Sequence, residues 1–391
     1  MKNGGRAIDS GGFGCVFRPS IRCGNLQGSE NFVSKLMLKD DALEELAEIK
    51  KFAVILKKIP NYTYFFLIEN ITLCPVSKLT DEDLYEFNNK CKSLVKHDFS
   101  GSNINLKLDR LLILQMPYGG ISLSKFIDTH NSSISLKNIH ISLIKLLQNG
   151  IIPMNKKDLY HCDIKSSNIL IQESKENILY PKLIDWGLSV YFKNKNVIPD
   201  NLFRRPFQFN VPFSIILFSD TFVKMYQEFL NTHSTPTTYL YREFTINFIL
   251  IWINERGLGH LKAINKQISK LYEKNIKIKN KNNILKYDFT YYHIIEYISS
   301  ILEKYTIKGI FLIDRYFKEV FIKNVDIWGF ICSYYPIYDV LYNNYNNLND
   351  TKLELLNNIK YLIIHFLFEN STTAISYNEV IQFLNRITPL F

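Results

Sequence analysis

The sequence lacks any long uninterrupted hydrophobic stretch. Its longest apolar runs, such as FTINFILIWI at 244–253, are far shorter than the roughly 20 residues that a membrane-spanning helix needs. The opening residues MKNGGRAIDSGG contain no apolar segment of the kind found in secretory leaders. We therefore expect a cytoplasmic protein in which the apolar runs form buried helices or strands.

Cysteine is scarce and scattered. The six cysteines include no C-x-x-C pair and show no metal-binding spacing. This pattern favours free thiols in a reducing compartment.

An excess of negative charge is also missing, since the net charge is +10 and the pI is about 9.0. Such a balance suits phosphates, nucleic acid, anionic membrane surfaces or acidic peptides as partners, without choosing among them. Hydrophobic residues make up 47% and charged residues 21% of the 391 positions, which excludes a disordered chain.

Secondary-structure patterns divide the chain into a β-rich and a helical part. Short β-prone runs and glycine turns fill residues 5–38, and DDALEELAEIKKFAVILKKIP follows with the charge order of a helix. Helical patterns dominate from residue 122 onward. We predict an α+β fold with a small β-rich part over 1–116 and a larger, mostly helical part over 117–391.

The N-terminal segment IDSGGFGCV is typical of a loop that lies against phosphates. Glycines let a backbone turn tightly and point its N–H groups at a ligand. The candidate nucleotide-binding residues here are Gly11, Gly12, Phe13, Gly14 and Val16. A glycine-rich β-turn that binds no ligand is the alternative that this segment alone leaves open.

Lys35 stands in the otherwise apolar strand FVSKLML and needs either water or an anion. In the following helix, Glu48 shares a face with Phe52 and Ile55. We predict that Glu48 pairs with Lys35 and that the pair holds the phosphates of a nucleotide. The alternative is a solvated lysine and a solvated acid.

The segment LYHCDIKSSNIL concentrates the side chains that phosphoryl transfer requires. Asp163 is a candidate general base for a hydroxyl nucleophile, and Lys165 can neutralise charge on the transferred group. Asn168 offers an amide oxygen to Mg²⁺, as does the carboxylate of Asp185 in KLIDWG.

Together, the glycine loop, Lys35, Glu48, HCDIKSSN and DWG resemble the eukaryotic-type Ser/Thr protein kinase family across residues 8–190. The resemblance implies a bilobal fold, ATP with Mg²⁺ (Mn²⁺ as the alternative), and a protein substrate. It makes Asp163 the base, Asn168 and Asp185 the metal ligands, and Lys35 with Glu48 the nucleotide-aligning pair.

Weaker parts of the match lie elsewhere in the chain. LILQMPYGGISL is similar to the last N-lobe strand and hinge, so Leu114 would lie near the adenine. Pro117 has no N–H, so Met116 or Tyr118 would supply the adenine's backbone donor. VDIWGF resembles the start of the central C-lobe helix, and Asp326 would then tie down the catalytic loop.

Several positions depart from the family's pattern. Asp9 replaces the first loop glycine, and the segment 185–212 has no Ala-Pro-Glu. Cys162 replaces the arginine that binds a phosphate on the activation segment, and cysteine cannot form that charge-assisted bond. We therefore expect activity without phosphorylation of this segment.

An insertion of about residues 213–323 is predicted to be helical and is strongly basic in part. A lysine stripe recurs at i+4 there, formed by Lys262, Lys266, Lys270 and Lys274. It is either a solvated helix face or a docking surface for an acidic partner, nucleic acid or an anionic membrane.

The residues of the HCDIKSSN and DWG motifs are similar to those of casein-kinase and vaccinia-related types. This similarity suggests a large DNA virus as source and host cytoplasm or virion as location. We expect a serine/threonine protein kinase. A small-molecule kinase of the same fold and an inactive pseudokinase scaffold remain the alternatives.

Overall fold

A computed structural model of the chain describes residues 5–10, 14–24, 27–193, 197–272 and 288–391, with side chains from 290 onward in the last range. The chain divides into two compact units. The first comprises Met1–Gly120 with Lys182–Gly187, and the second comprises Ile121–Pro181 with Leu188–Phe391. The protein is mixed α/β, with antiparallel strands near the N-terminus and mainly helices after them.

The first unit contains a five-stranded antiparallel sheet of order β1-β2-β3-β5-β4. Its strands are β1 Arg6–Ser10, β2 Gly14–Arg18, β3 Phe32–Leu38, β4 Thr72–Pro75 and β5 Leu111–Pro117. The helices of this unit are α1 Lys39–Leu56, α2 Asp81–Leu84, α3 Phe87–Lys90 and α4 Lys92–Val95.

One face of this sheet forms a hydrophobic core with the segment 79–104. Phe17, Leu36 and Ile113 pack there against Phe87 and Phe99, and all five side chains are buried. Burial of this apolar area is the main force that holds the unit together.

Two disulfides in this unit correct the expectation of free thiols. Cys15 is joined to Cys91, and Cys23 is joined to Cys74. The paired cysteines are 76 and 51 positions apart, so the local sequence does not indicate which cysteines pair. Cys162 and Cys332, in the second unit, are free and buried.

Helix α1 begins at Lys39 directly after β3, with Asp40 and Asp41 in its first turn, where acidic side chains favour the positive end of the helix dipole. Its fully buried residues are Ala42, Ile49, Phe52 and Leu56. Their spacing of seven, three and four residues defines one stripe along the helix.

The second unit holds shorter sheets and most of the helices. A three-stranded sheet has the order β6-β8-β9, and the pairs β10-β7 and β11-β12 stand apart from it. The strands are β6 Ile121–Ser122, β7 Leu159–Tyr160, β8 Ile169–Glu173, β9 Leu179–Leu183 (whose last two residues belong to the first unit), β10 Val190–Tyr191, β11 Thr306–Ile307 and β12 Ile310–Phe311. The helices are α5 Leu123–Thr129, α6 Ser133–Leu146, α7 Ile152–Asn155, α8 Asp220–Thr232, α9 Thr238–Arg256, α10 Leu261–Tyr272, α11 Asp288–Tyr305, α12 Ile313–Tyr316, α13 Ile322–Cys332, α14 Tyr335–Asn343, α15 Asp350–Ile363 and α16 Tyr377–Ile387.

Helix α13 is the most deeply buried helix of the site region, since only Lys323 among its eleven residues is exposed. Gly329 brings this helix against two other segments. A β-carbon at Gly329 would lie 2.4 Å from the carbonyl oxygen of Ile164 and 3.1 Å from that of Asn210. Only glycine permits this approach.

The predicted insertion is mainly helical in its described residues, in α8, α9, α10, α11 and α12, and it also contains the short strand pair β11-β12. The lysine stripe needs correction. Lys262 and Lys266 are exposed on α10, but Lys270 is largely buried in an ion pair with Asp339 at 2.7 Å, and Lys274 lies outside the described residues. None of the helices in the described ranges combines the length and apolar character that a membrane crossing requires.

Candidate active site

The loop predicted to carry catalysis runs between β7 and β8 in the second unit. It is held inside the protein, since His161, Asp163 and Asn168 have exposed fractions of 0%, 3% and 5%. The backbone N–H of Asn168 donates to the carbonyl of Lys165 at 2.9 Å, which closes the turn between them. The structure thus brings together the three polar residues that the sequence placed here.

Asp163 accepts hydrogen bonds from three side chains. Lys165 Nζ and Asn168 Nδ2 donate to its Oδ2 at 2.7 and 2.8 Å, and Asn210 Nδ2 donates to its Oδ1 at 2.8 Å. Burial alone would raise the pKa of Asp163, but the nearby Lys165 charge and the hydrogen bonds from Lys165 and Asn210 outweigh it. The pKa therefore lies below its usual value, and the carboxylate is ionised at neutral pH.

Asp326, fully buried in α13, fixes the backbone of the same loop. Its Oδ2 accepts the N–H of His161 at 2.9 Å, and its Oδ1 accepts the N–H of Cys162 at 2.8 Å. Asn155 Nδ2 also donates to Oδ2 at 2.7 Å, and this hydrogen bond stabilises the buried carboxylate. The prediction that Asp326 ties down this loop is confirmed.

Cys162 has a left-handed backbone with φ of +57°, which is costly for a residue other than glycine. Its side chain is fully buried, and burial raises the pKa of the thiol well above its ordinary value. A neutral, enclosed thiol is a poor nucleophile, so the residue contributes packing and backbone geometry rather than redox chemistry.

Asn210 was not among the residues identified from the sequence. It is fully buried 47 positions after Asp163, and its Nδ2 also donates to the carbonyl of Ile164 at 3.2 Å. No motif surrounds it, and the packing of α13 against the 209–210 backbone brings it to the loop. Trp328 Nε1 donates to the carbonyl of Phe209 at 3.0 Å in this contact.

In the first unit, the sheet register aligns most of the predicted nucleotide-binding residues. Val16 pairs with Lys35, and Lys35 pairs with Leu114, so these three side chains share one face. Gly14 and Met116, each two residues along a strand, lie on the same face. Gly11, Gly12 and Phe13 lie outside the described residues.

Gly14 is required by close packing of β2 on β3. A β-carbon there would lie 2.7 Å from both the Leu36 carbonyl oxygen and Met37 Cγ. This requirement is structural, so a glycine at this position does not by itself indicate a nucleotide.

The predicted Lys35–Glu48 pair is wrong in its acidic partner. Lys35 Nζ bonds Glu45 Oε2 at 2.5 Å, and both side chains are largely buried, with exposed fractions of 13% and 16%. The reason is helical phase, because Glu45 falls on the buried stripe of α1, between Ala42 and Ile49, whereas Glu48 lies beside it. The spacing of the apolar residues was the signal that could have identified Glu45.

Glu48 lies instead beside the DWG segment, which belongs to the first unit. A β-carbon on Gly187 would lie 3.4 Å from Glu48 Oε2. Trp186 is buried against Phe52 and Phe66, which anchors the segment, and Asp185 is exposed with φ of +69°.

The carboxylates around Lys35 repel one another. Burial raises the pKa of Glu45 despite its pairing with Lys35, and the charge of Asp185 adds to the shift. The pKa of Glu48 is also raised, first by burial and then by repulsion from Glu44 and Glu45. This part of the first unit therefore has more negative charge than Lys35 neutralises, which favours cations.

The structure separates the two candidate backbone donors to adenine, Met116 and Tyr118. The N–H of Tyr118 donates to the carbonyl of Asn31 at 2.8 Å, and Arg18 stacks over the Tyr118 ring at 3.4 Å. Tyr118 is therefore committed to the β3 end of the sheet and is corrected as a backbone donor to a ligand. Met116 pairs with Val33 in the same ladder, and its role as the donor stays a prediction.

The predicted metal ligands are an amide and a carboxylate. Asn168 uses Nδ2 to bond Asp163, so its amide oxygen is the side-chain atom left for a cation, and Asp185 presents an exposed carboxylate. Oxygen donors of this kind fit Mg²⁺. Across the described ranges, no group of three or more His, Cys, Asp or Glu side chains is arranged to hold a metal.

A scan against protein-family models found none that matches this chain.

Proposed function

We propose that this chain is a serine/threonine protein kinase of bilobal fold that transfers the γ-phosphoryl group of ATP to protein hydroxyls. The observation that carries the proposal is the ionised Asp163 carboxylate, buried and oriented by Lys165, Asn168 and Asn210. A carboxylate kept unprotonated at neutral pH and fixed in direction is suited to accept a hydroxyl proton.

The other residues have separate roles in this proposal. Lys165, hydrogen-bonded to Asp163, is available to stabilise negative charge on the moving phosphoryl group. Lys35, held by Glu45, binds phosphate oxygens on the face that Val16 and Leu114 share. Asn168 and Asp185 would hold Mg²⁺, which when bound neutralises charge on the phosphates.

Catalysis in this proposal is positioning and electrostatics rather than covalent chemistry. Asp326 and α13 support it by fixing the loop backbone, so Asp163 does not need to reorganise when an acceptor hydroxyl arrives. The low pKa of Asp163 predicts that it does not lose its base form anywhere near neutral pH.

The test is incubation of the purified chain with γ-labelled ATP, Mg²⁺ and a panel of generic protein and small-molecule acceptors. We expect label on Ser and Thr of protein acceptors, with none in the Asp163→Asn variant. Label only on small molecules would favour the small-molecule kinase, against which Lys165 argues. No label with either Mg²⁺ or Mn²⁺ would favour the pseudokinase scaffold.

A further inference from the structure

Arg205 is a buried arginine that neither the motifs nor the roles above use. It lies in the second unit between β10 and α8, and its exposed fraction is 5%. The adjacent Arg204 differs, since its side chain is 64% exposed and pairs with Asp220 at 2.6 Å. Burial of one arginine of the pair requires a reason, because a guanidinium loses much hydration energy inside a protein.

Two of the three guanidinium nitrogens of Arg205 have hydrogen-bond partners among the described residues, whereas Nη1 is buried without one. Its Nη2 donates to the carbonyl oxygen of Cys162 at 3.0 Å, and its Nε donates to Gln208 Oε1 at 2.7 Å. The guanidinium therefore links its own segment to the residue that immediately precedes the candidate base. Burial lowers the pKa of Arg205, and the nearby Asp163 carboxylate opposes that shift.

Both backbone groups of Cys162, its N–H and its carbonyl, form hydrogen bonds to buried charged side chains. Asp326 binds its N–H, and Arg205 binds its carbonyl. The left-handed backbone of a non-glycine residue costs about 1–3 kcal/mol and persists only where the surroundings enforce it. Loss of either contact would allow this backbone to relax, and Asp163 would turn with it.

A second contact ties the same segment to the loop. Asn210, five positions after Arg205, donates to the Asp163 carboxylate and to the Ile164 carbonyl. Arg205 and Asn210 thus hold the loop at consecutive residues, one through the backbone and one through the base itself.

We propose that Arg205 is a positioning residue that fixes Asp163 through the Cys162 carbonyl and holds the 205–210 segment on the loop without any phosphate. The inference rests on the proposed kinase function for its catalytic consequence. It explains how the chain tolerates Cys162, because the guanidinium comes from the segment instead of from the loop. A phosphate on the segment then has no activating role.

The experiment compares Arg205→Met with Arg205→Lys and with the matched surface variant Arg204→Met. Methionine removes every donor, whereas lysine keeps one donor that can reach the carbonyl but cannot form the guanidinium fork. We expect Arg205→Met to lower kcat by about 100-fold while the KM for ATP changes by less than about threefold. Arg205→Lys should recover about tenfold of this loss, and Arg204→Met should stay within about twofold of the parent.

Hydrogen exchange without nucleotide tests the positioning directly, even in a chain that transfers no phosphate. The amides of His161 and Cys162 should exchange at least about tenfold faster in Arg205→Met, with α13 amides unchanged. Equal exchange in the parent and in both Arg205 variants would overturn the inference, whatever their activity.

The phosphate-independence is tested by phosphatase treatment of the parent. The rate should stay within about twofold of that of untreated protein. A near-complete loss of rate after phosphatase, or a loss in Arg205→Met expressed only in KM, would also overturn the inference. An inactive parent with the expected exchange pattern would count against the kinase proposal alone.

Discussion

Lys35 and Glu45 form a largely buried ion pair between strand β3 and helix α1, with 2.5 Å between Nζ and Oε2. The pair joins the central strand of the sheet to the helix that follows it directly. Glu48, three positions further along, contacts the DWG segment instead.

This difference predicts unequal effects of two matched substitutions on the rate of phosphoryl transfer. Glu45→Gln leaves Lys35 buried without its counter-charge, and we expect the rate of phosphoryl transfer to fall about 10- to 100-fold. Glu48→Gln should change that rate by less than about threefold. Steady-state kinetics on both variants checks the assignment, and a larger loss in Glu48→Gln would return the pairing to Glu48.

The Glu48→Gln variant also tests the stability of the first unit. A carboxyl group whose pKa is raised by folding contributes stability at low pH and loses it as the pH rises through the folded pKa. Glu48 is such a group, so Glu48→Gln should unfold at the same or a higher urea concentration than the parent at pH 7. A lower midpoint would contradict the repulsion inferred around Glu48.

The disulfide between Cys15 and Cys91 closes a long loop across the first unit. Its loss should lower the free energy of unfolding by about 2–4 kcal/mol, since the unfolded chain gains freedom. We expect Cys15→Ser and Cys91→Ser to show equal losses and the double variant no more than either one. Alkylation without reductant, followed by peptide mass mapping, should recover the Cys15 and Cys91 peptides linked. Both peptides alkylated singly would contradict the bridge.

Gly329 lets α13 approach the candidate catalytic loop, so we expect its replacement to destabilise the packing between them. Gly329→Ala places a methyl group against the carbonyls of Ile164 and Asn210, and we expect a loss of about 1–3 kcal/mol in unfolding free energy. Lys323→Ala, at the exposed position of the same helix, is the control. Urea denaturation measures both, and an equal effect at the two positions would argue against close packing at Gly329.

The buried His140 ring is expected to make the stability of the second unit sensitive to acid. Its Nε2 lies 3.0 Å from the Leu384 carbonyl and its Nδ1 lies 3.0 Å from the Tyr334 hydroxyl, which a neutral ring satisfies as donor and acceptor. Burial lowers the pKa of His140 to about 4. Because the unfolded chain binds the proton more readily, stability is complete above pH 6.5 and falls as the pH drops toward 4.

The contribution of His140 to this loss is roughly 3 kcal/mol, since each unit of pKa difference is worth ~1.4 kcal/mol. His140→Phe should be less stable than the parent at pH 7 but lose less stability between pH 7 and pH 4.5. Urea midpoints at several pH values test this, and parallel curves for the two proteins would contradict it.

Local patterns in the sequence predicted the elements that local forces determine. The charge order of DDALEELAEIKKFAVILKKIP predicted a helix, observed as α1, and LILQMPYGGISL was identified by resemblance as the last strand and hinge of the first part, where β5 lies. The loop around Asp163 was identifiable because its polar residues are close in sequence. By contrast, the run YTYFFLI at 62–68 is rich in β-prone residues, yet Tyr62–Tyr64 form a 3₁₀ turn, and Phe66 makes an isolated bridge to Leu183.

What the sequence could not predict depends on contacts between distant segments. The Cys15–Cys91 disulfide and the hydrogen bonds of Arg205 and Asn210 to the loop around Asp163 form between segments that only folding brings together. Glu45 is different, because the spacing of the buried residues of α1 in the sequence already places Glu45 on their stripe. The prediction relied instead on the i+4 spacing of Glu48 and Phe52, which is a weaker argument.

The most direct measurement is the single-turnover rate of phosphoryl transfer from MgATP to Ser or Thr in the parent and in Asp163→Asn, with nucleotide affinity measured in both. We expect the rate to fall about 10³-fold in the variant while the affinity for MgATP changes by less than about threefold, because Asp163 acts on the acceptor hydroxyl. Equal rates in the two proteins, or no transfer by the parent, would contradict the assignment of Asp163 as the base of a protein kinase.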